Sequence, residues 1–212
     1  MGLFLVMMEQ NKQEGGVQKM VRASYNQMGE LYDKYRDLHK IDDILEEFAA
    51  RVPKKGKILD AGSGAGRPVA QFLTQRGFDY LGVDFSEKML ALARQNVPAA
   101  TFQWADLLDL PFASNSFDGI ISVFTLFHIE RRYHGQLLAD FYRILKPGGI
   151  LLINTGIRES EGSSVFFGHP MYWSNHRPSV TLDLAKSAGF TIEFEGILRR
   201  GGESQYWIRA RK

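Results

Sequence analysis

Residues 58–66 read ILDAGSGAG: an apolar pair, an aspartate, then Gly62, Gly64 and Gly66 alternating with small residues. Such a run suits a backbone that must come close to a ligand, because glycine has no side chain and tolerates positive φ. Asp84 follows Gly64 by 20 positions, the interval at which a carboxylate holds the hydroxyls of a ribose. The phosphate-cradling pattern G-x-x-x-x-G-K-[ST] is not met, since Gly62 is followed five residues later by Arg67 and then Pro68. The dinucleotide fingerprint G-x-G-x-x-G is met at Gly62 and Gly64, but Arg67 stands in the third place and Gly66 comes one residue early. The residues point to a ribose-bearing ligand. They leave its phosphate content open, with a nicotinamide-dependent oxidoreductase as one reading.

A second set of side chains could hold or move a proton: His128, Tyr25, Tyr32, Tyr35, His169 and His176. His128 follows the apolar run FDGIISVF, where an acceptor molecule should lie. His169, Tyr172, Trp173 and His176 crowd into FFGHPMYWSNHRPS, and flat rings beside polar handles suit an acceptor pocket. The chain has no cysteine. That excludes a disulfide scaffold, a cysteine nucleophile, a cysteine adduct to cytosine and a cysteine-held iron–sulfur cluster. No spacing of His, Asp and Glu suggests a metal site.

The elements that must carry these groups alternate. KILDA, YLGVD, ATFQWA, FDGIISVF and ILLINT read as short apolar strands. Between them, helices are expected over Ala65–Arg76, after Ser86 as N-cap, and along Leu137, Leu138, Phe141, Tyr142 and Leu145. Near-continuously apolar strands alternating with helices indicate a parallel sheet covered on both faces. FTIEFEGIL and SQYWIRAR are joined by a turn at Gly201–Gly202, too short for a crossover, so they form an antiparallel hairpin. Before the sheet, Val17, Val21, Tyr25, Met28 and Tyr32 recur at helical spacing, and Ile41, Ile44, Leu45 and Phe48 mark a second helix.

The expected organisation is a flexible leader over 1–16, an N-terminal helical cap over 17–51, and a domain over 52–212 with an irregular loop insertion at 157–178. A chain of 212 residues with 44% hydrophobic and 24% charged residues suits such a globular unit. A net charge of +2 with scattered basic residues gives no nucleic-acid or anionic-membrane footprint. The apolar run near the N-terminus lacks the flanks of a signal peptide and is too short to span a bilayer, so a cytoplasmic location is expected.

In register, these pieces resemble class I S-adenosylmethionine-dependent methyltransferases of the type 11 kind. ILDAGSGAG resembles their first motif, GVDFSEKML the second-strand motif, WADLLDLPF the third, FDGIISVFTLFHI the fourth strand and LKPGGILLI the fifth. The resemblance spans about Val52 to the C-terminus. It implies an α/β fold, a Rossmann-like three-layer sandwich with a mostly parallel seven-stranded sheet, a C-terminal antiparallel hairpin and an N-terminal helical cap.

It also implies S-adenosyl-L-methionine as cofactor. Asp60 would face its positive charge directly or through water. Gly62, Ser63, Gly64 and Gly66 would approach the amino acid tail, and Asp84 would hold the ribose. Asp106, with Asp109 nearby, would take the adenine amino group, and Phe85 and Leu107 would pack near the ring. Ser122 to Phe124 would line the methyl side, and Tyr25 and Tyr32 on the cap helix would line the pocket. DNA amino-methylating relatives carry [DN]-P-P-[YF] after the fourth strand, where this chain has Ser122-Val123-Phe124-Thr125. A small-molecule acceptor is therefore expected, with a cofactor-binding protein without turnover as the non-enzymatic alternative.

Overall fold

The computed structural model describes residues 15–35, 41–200 and 202–212. The leader expected over 1–16 thus lies outside the described residues but for Gly15 and Gly16, and Gly16 already begins a helix, α1 (Gly16–Tyr35). Then come α2 (Asp42–Ala49), β1 (Lys57–Ala61), α3 (Val69–Gln75), β2 (Asp79–Asp84), α4 (Glu87–Asn96), β3 (Thr101–Trp104) and β4 (Phe117–Ser122). After two 3-10 turns, Leu126–His128 and Arg131–Tyr133, follow α5 (His134–Ile144), β5 (Leu145–Thr155), β6 (Ser160–Phe166), β7 (His169–Asn175), α6 (Pro178–Ser187), β8 (Thr191–Arg200) and β9 (Glu203–Arg211).

The main sheet has seven strands in the order β3-β2-β1-β4-β5-β9-β8. Its first five strands are parallel, and β9 runs antiparallel to both β5 and β8. The strand order reverses between β1 and β4, so their carboxyl ends open a crevice there. Alternation along each strand divides the core between the two faces. Leu59, Leu151 and Ile153 face α5 and α6, whereas Ile58, Ile150 and Leu152 face α2, α3 and α4.

Three expectations are corrected here. Of the two N-terminal helices among the described residues, α1 covers the crevice, whereas α2 joins the helical layer, with Ile41, Leu45 and Phe48 fully buried against the sheet. The helix expected from Ala65 starts at Val69, because Gly66 adopts φ +82, outside the right-handed helical region. Residues 157–178 are not an irregular loop: β6 and β7 pair as an antiparallel hairpin in a separate two-stranded sheet. The apolar stripe of α1, through Val21 and Met28, packs on this hairpin around buried Met171. Ser24 Oγ donates to Pro170 O at 2.5 Å, and on the opposite flank Ser86 Oγ donates to Asn26 Oδ1 at 2.7 Å. The cap helix is thus pinned to the hairpin on one side and to α4 on the other. Among the described residues no helix is long and apolar enough to cross a membrane.

Candidate active site

The glycine run leaves the end of β1 and turns over β2. The N–H groups of Gly62 and Ser63 both donate to Val83 O, at 2.8 and 2.9 Å. Gly62 sits at φ +88, and a Cβ there would lie 2.4 Å from Thr125 Cγ2 and Oγ1. Only glycine lets the turn pass this close to the segment after β4. At the end of β2, Asp84 accepts from Gly64 N through Oδ2 and from Ser86 N through Oδ1, both at 2.9 Å. One carboxylate therefore holds the glycine turn and the start of α4 together. Burial pushes its pKa up to about 6 against the lowering effect of those backbone N–H groups.

These groups face a cavity of about 730 Å³, counting its mouth, at the carboxyl ends of the strands. Of the residues the sequence suggested, Tyr25, Tyr32, Gly62, Gly64, Asp84, Phe85, Asp106, Leu107 and His128 line it. Asp106 forms one wall and is held by its own loop, Oδ1 accepting from Leu108 N at 2.9 Å. Phe124, also on the wall, is left-handed at φ +58, with its N–H bound by Asn154 Oδ1 at 2.6 Å. A bulky residue at positive φ persists only where its surroundings hold it, and such positions gather at functional sites.

Other suggested residues lie elsewhere, for physical reasons. Asp60 is 2% exposed and accepts from Tyr80 Oη at 2.7 Å, so its carboxylate lies under the turn and not on the cavity wall. Burial next to Asp60 drives the Tyr80 phenol well above its ordinary value. Ser63 is buried beneath the turn, and Gly66 faces Phe102 of β3 and Ala93 of α4. Ser122 donates to Ala61 O at 2.7 Å, joining β4 to β1. These four build the turn and do not line its cavity.

A second cavity adjoins the first and shares Tyr25, Tyr32, Phe124 and His128 with it. Trp173 lines this one, together with Phe127, Phe166 and Phe167. Tyr172, expected beside Trp173, points the other way, because successive residues of a strand alternate faces. Its hydroxyl donates to Glu161 at 2.6 Å, and burial with this carboxylate pushes it up to about 12. His169 sits at the hairpin end opposite Phe166, and His176 Nε2 lies 3.1 Å from Arg131 O. Neither lines a described cavity.

His128 connects three segments. Its Nδ1 lies 3.0 Å from the Tyr172 carbonyl, its Nε2 lies 2.9 Å from Tyr25 Oη, and its ring packs at 4.7 Å from Trp173. A carbonyl only accepts, so Nδ1 carries the proton in neutral His128, and Nε2 accepts from Tyr25. Burial holds the ring neutral, pulling its pKa down to about 4 against the raising effect of that carbonyl.

Among the site residues not read from the sequence are two glutamines. Gln18 is 7% exposed on the first cavity's wall, and its Oε1 has no hydrogen-bond partner. Its signal was its place at the head of the buried stripe Gln18, Val21, Tyr25, Met28, Tyr32. Gln205 on β9 lines the second cavity, and nothing in its sequence context marks it. Among the described residues, no group of three or more His, Asp or Glu is placed to hold a metal ion.

Residues 59–153 match the family described as a methyltransferase domain. The chain is 35% identical over 124 residues to the ubiquinone/menaquinone biosynthesis C-methyltransferase of Geotalea daltonii, covering 53% of this chain and 52% of that one. It is 28% identical over 185 residues to the demethylmenaquinone methyltransferase of Symbiobacterium thermophilum, covering 80% of this chain and 72% of that one. The chain spans about half the length, or less, of the first curated relatives it matches. Among solved structures, 1,6-didemethyltoxoflavin-N1-methyltransferase of Burkholderia thailandensis, with 1,6-didemethyltoxoflavin and S-adenosylhomocysteine bound, superposes with a TM-score of 0.69. It is 22% identical, covering 90% of this chain and 86% of that one, a likeness that concerns the fold. The order of the sheet, the glycine turn joined to Asp84 and the match of residues 59–153 to a methyltransferase domain agree with a class I S-adenosylmethionine-dependent methyltransferase.

Proposed function

We propose that the protein transfers a methyl group from S-adenosylmethionine to a small-molecule acceptor. The observation that carries this reading is the charge of the first cavity. Asp84 and Asp106 line it, and among the described residues no Lys or Arg does. Two carboxylates without a cation repel a pyrophosphate, which stands against the nicotinamide alternative. They favour a ligand that combines a ribose diol, an amino donor and a positive charge. S-adenosylmethionine has all three, and when bound it supplies an electrophilic methyl group.

In this reading Asp84 takes the ribose hydroxyls on the lone pairs left by its two backbone bonds. Asp106 and Gln18 offer acceptors to the adenine amino group. Leu107, Leu108 and Phe85 form an apolar wall for the ring. The Gly62–Gly64 turn lets the backbone approach the amino acid tail. Asp60 acts from below as a buried negative charge.

The adjoining aromatic cavity is the proposed acceptor site, with Tyr25 on the wall common to both. With its proton committed to His128, Tyr25 can only accept from further partners. It is suited to orient an acceptor's N–H or O–H, and His128 acts as a positioning residue through it. Alignment of this kind can supply roughly 7–11 kcal/mol at best to an already activated methyl donor. Incubation of the protein and methyl-labelled S-adenosylmethionine with a cytoplasmic metabolite extract should label one small molecule. Tight S-adenosylhomocysteine binding with no labelled product would favour the alternative of cofactor binding without turnover.

A further inference from the structure

We propose that the acceptor is a flat aromatic molecule, neutral or cationic, with a hydrogen-bond donor that meets Gln205. This rests on the methyltransferase reading and names the acceptor class for the proposed site. Three features of the second cavity carry it.

The first is the composition of its walls. Phe124, Phe127, Phe166, Phe167 and Trp173 line it with Tyr25 and Tyr32. Their rings are fixed edge to face: Phe166 against Trp173 at 5.4 Å, Phe166 against Phe167 at 4.8 Å, and Tyr25 against Tyr32 at 5.5 Å. Rings held in this way accept a flat molecule by stacking and edge contact, and their faces attract a cation.

The second is charge. Glu203 is the only lining residue with a formal charge among the described residues. An anionic acceptor would meet aromatic faces and a carboxylate with no cation to pair with, whereas a neutral or positive one meets no such penalty.

The third is Gln205. It is 8% exposed, and its Nε2 donates to Glu203 Oε2 at 3.1 Å. A carboxylate cannot donate, so this contact fixes which end of the amide is oxygen. The remaining Oε1 is buried without a hydrogen-bond partner, in a side chain that lines the cavity. A buried acceptor without a donor is costly, and a ligand N–H or O–H would relieve it. Gln205 and Glu203 are contributed by β9, Tyr25 and His128 by α1 and the turn after β4. The polar handle at Gln205 and the one at Tyr25 thus come from separate segments of the same cavity wall.

The test uses the full chain saturated with S-adenosylhomocysteine and three probes of similar shape: indole, 1-benzothiophene and 1-benzothiophene-2-carboxylate. Dissociation constants are read by ligand-observed NMR, and S-adenosylhomocysteine binding is measured by calorimetry on the same samples. Indole should bind at least about threefold tighter than benzothiophene, and the carboxylate at least about tenfold weaker than either neutral probe. Gln205→Met should remove the preference for indole while leaving benzothiophene within about twofold. Glu203→Gln should narrow the discrimination against the carboxylate. Equal binding of the carboxylate, an indole preference that survives in Gln205→Met, or no binding of any probe at millimolar concentration would overturn the assignment. If S-adenosylhomocysteine still binds in that event, only the acceptor class is lost. If it does not bind, the methyltransferase reading itself fails.

Discussion

Tyr25 Oη lies 2.9 Å from His128 Nε2, and this contact joins the cap helix to the turn after β4 across the wall shared by both cavities. His128 is at the same time bound through Nδ1 to the Tyr172 carbonyl of the hairpin. One neutral imidazole thus ties together the three segments that enclose the site.

That arrangement makes stability depend on pH with a definite sign. His128 has a folded pKa of about 4, below its ordinary value of 6.5. The unfolded chain therefore binds more protons between these values, and the contribution is full above about 6.5 and lost as pH falls towards 4. Its size is roughly 3 kcal/mol. Asp84, raised to about 6, acts in the opposite sense over part of the same range. The comparison is for that reason between wild type and His128→Gln, which share Asp84. Urea unfolding at pH 4.5 and 7.5 should show a smaller loss of stability on acidification in the variant than in wild type, and equal pH slopes in the two proteins would contradict the buried neutral histidine.

Asp84 predicts the pH dependence of cofactor binding. The carboxylate must be ionised to accept two hydroxyls, so S-adenosylhomocysteine affinity should be flat above about pH 7. At pH 5 it should be about tenfold weaker, one pH unit below the folded pKa. Asp84→Asn should bind about 10- to 100-fold more weakly at neutral pH, with that acid dependence gone. Calorimetric titration at several pH values reads both effects.

Tyr25→Phe removes the hydroxyl and keeps the ring. Cofactor affinity should change by no more than about threefold, while kcat falls by about 10- to 100-fold, the range expected for one well-placed hydrogen bond. Steady-state kinetics with the acceptor found by labelling measure it. An effect confined to KM would mean that Tyr25 only fills space.

Gly62→Ala tests the close approach of the turn. The new Cβ would lie 2.4 Å from Thr125 and would force a side chain onto φ +88. A stability loss of about 1–3 kcal/mol is expected from the strain alone, together with weakened cofactor binding. Gly77→Ala, also at positive φ (+78) but with no neighbour within 4 Å, should cost less in stability and leave cofactor binding unchanged.

The residues that announced themselves in the sequence were those whose role is local. Gly62, Gly64 and Asp84 are set by a turn and its spacing, and Tyr25 and Tyr32 by the period of α1. What was not legible depended on tertiary partners. Asp60 stands in the glycine motif, but its fate was decided by Tyr80 from the neighbouring strand. The hairpin was hidden because β6, SEGSSVF, is exposed along nearly its whole length and shows no alternation of apolar and polar residues. Without the strand period, Tyr172 and Trp173 could not be assigned to opposite faces. Gln205 became visible only when β9 placed it beside Glu203 on the cavity wall.

The central claim is that the glycine turn and Asp84 hold S-adenosylmethionine and not a dinucleotide. Calorimetric titration of the full chain with S-adenosylhomocysteine and, separately, with NADH tests this most directly. The predicted result is saturable one-to-one binding of S-adenosylhomocysteine that is lost in Asp84→Ala, with no heat of binding from NADH. Binding of NADH with no binding of S-adenosylhomocysteine, or S-adenosylhomocysteine binding unaffected by Asp84→Ala, would contradict it.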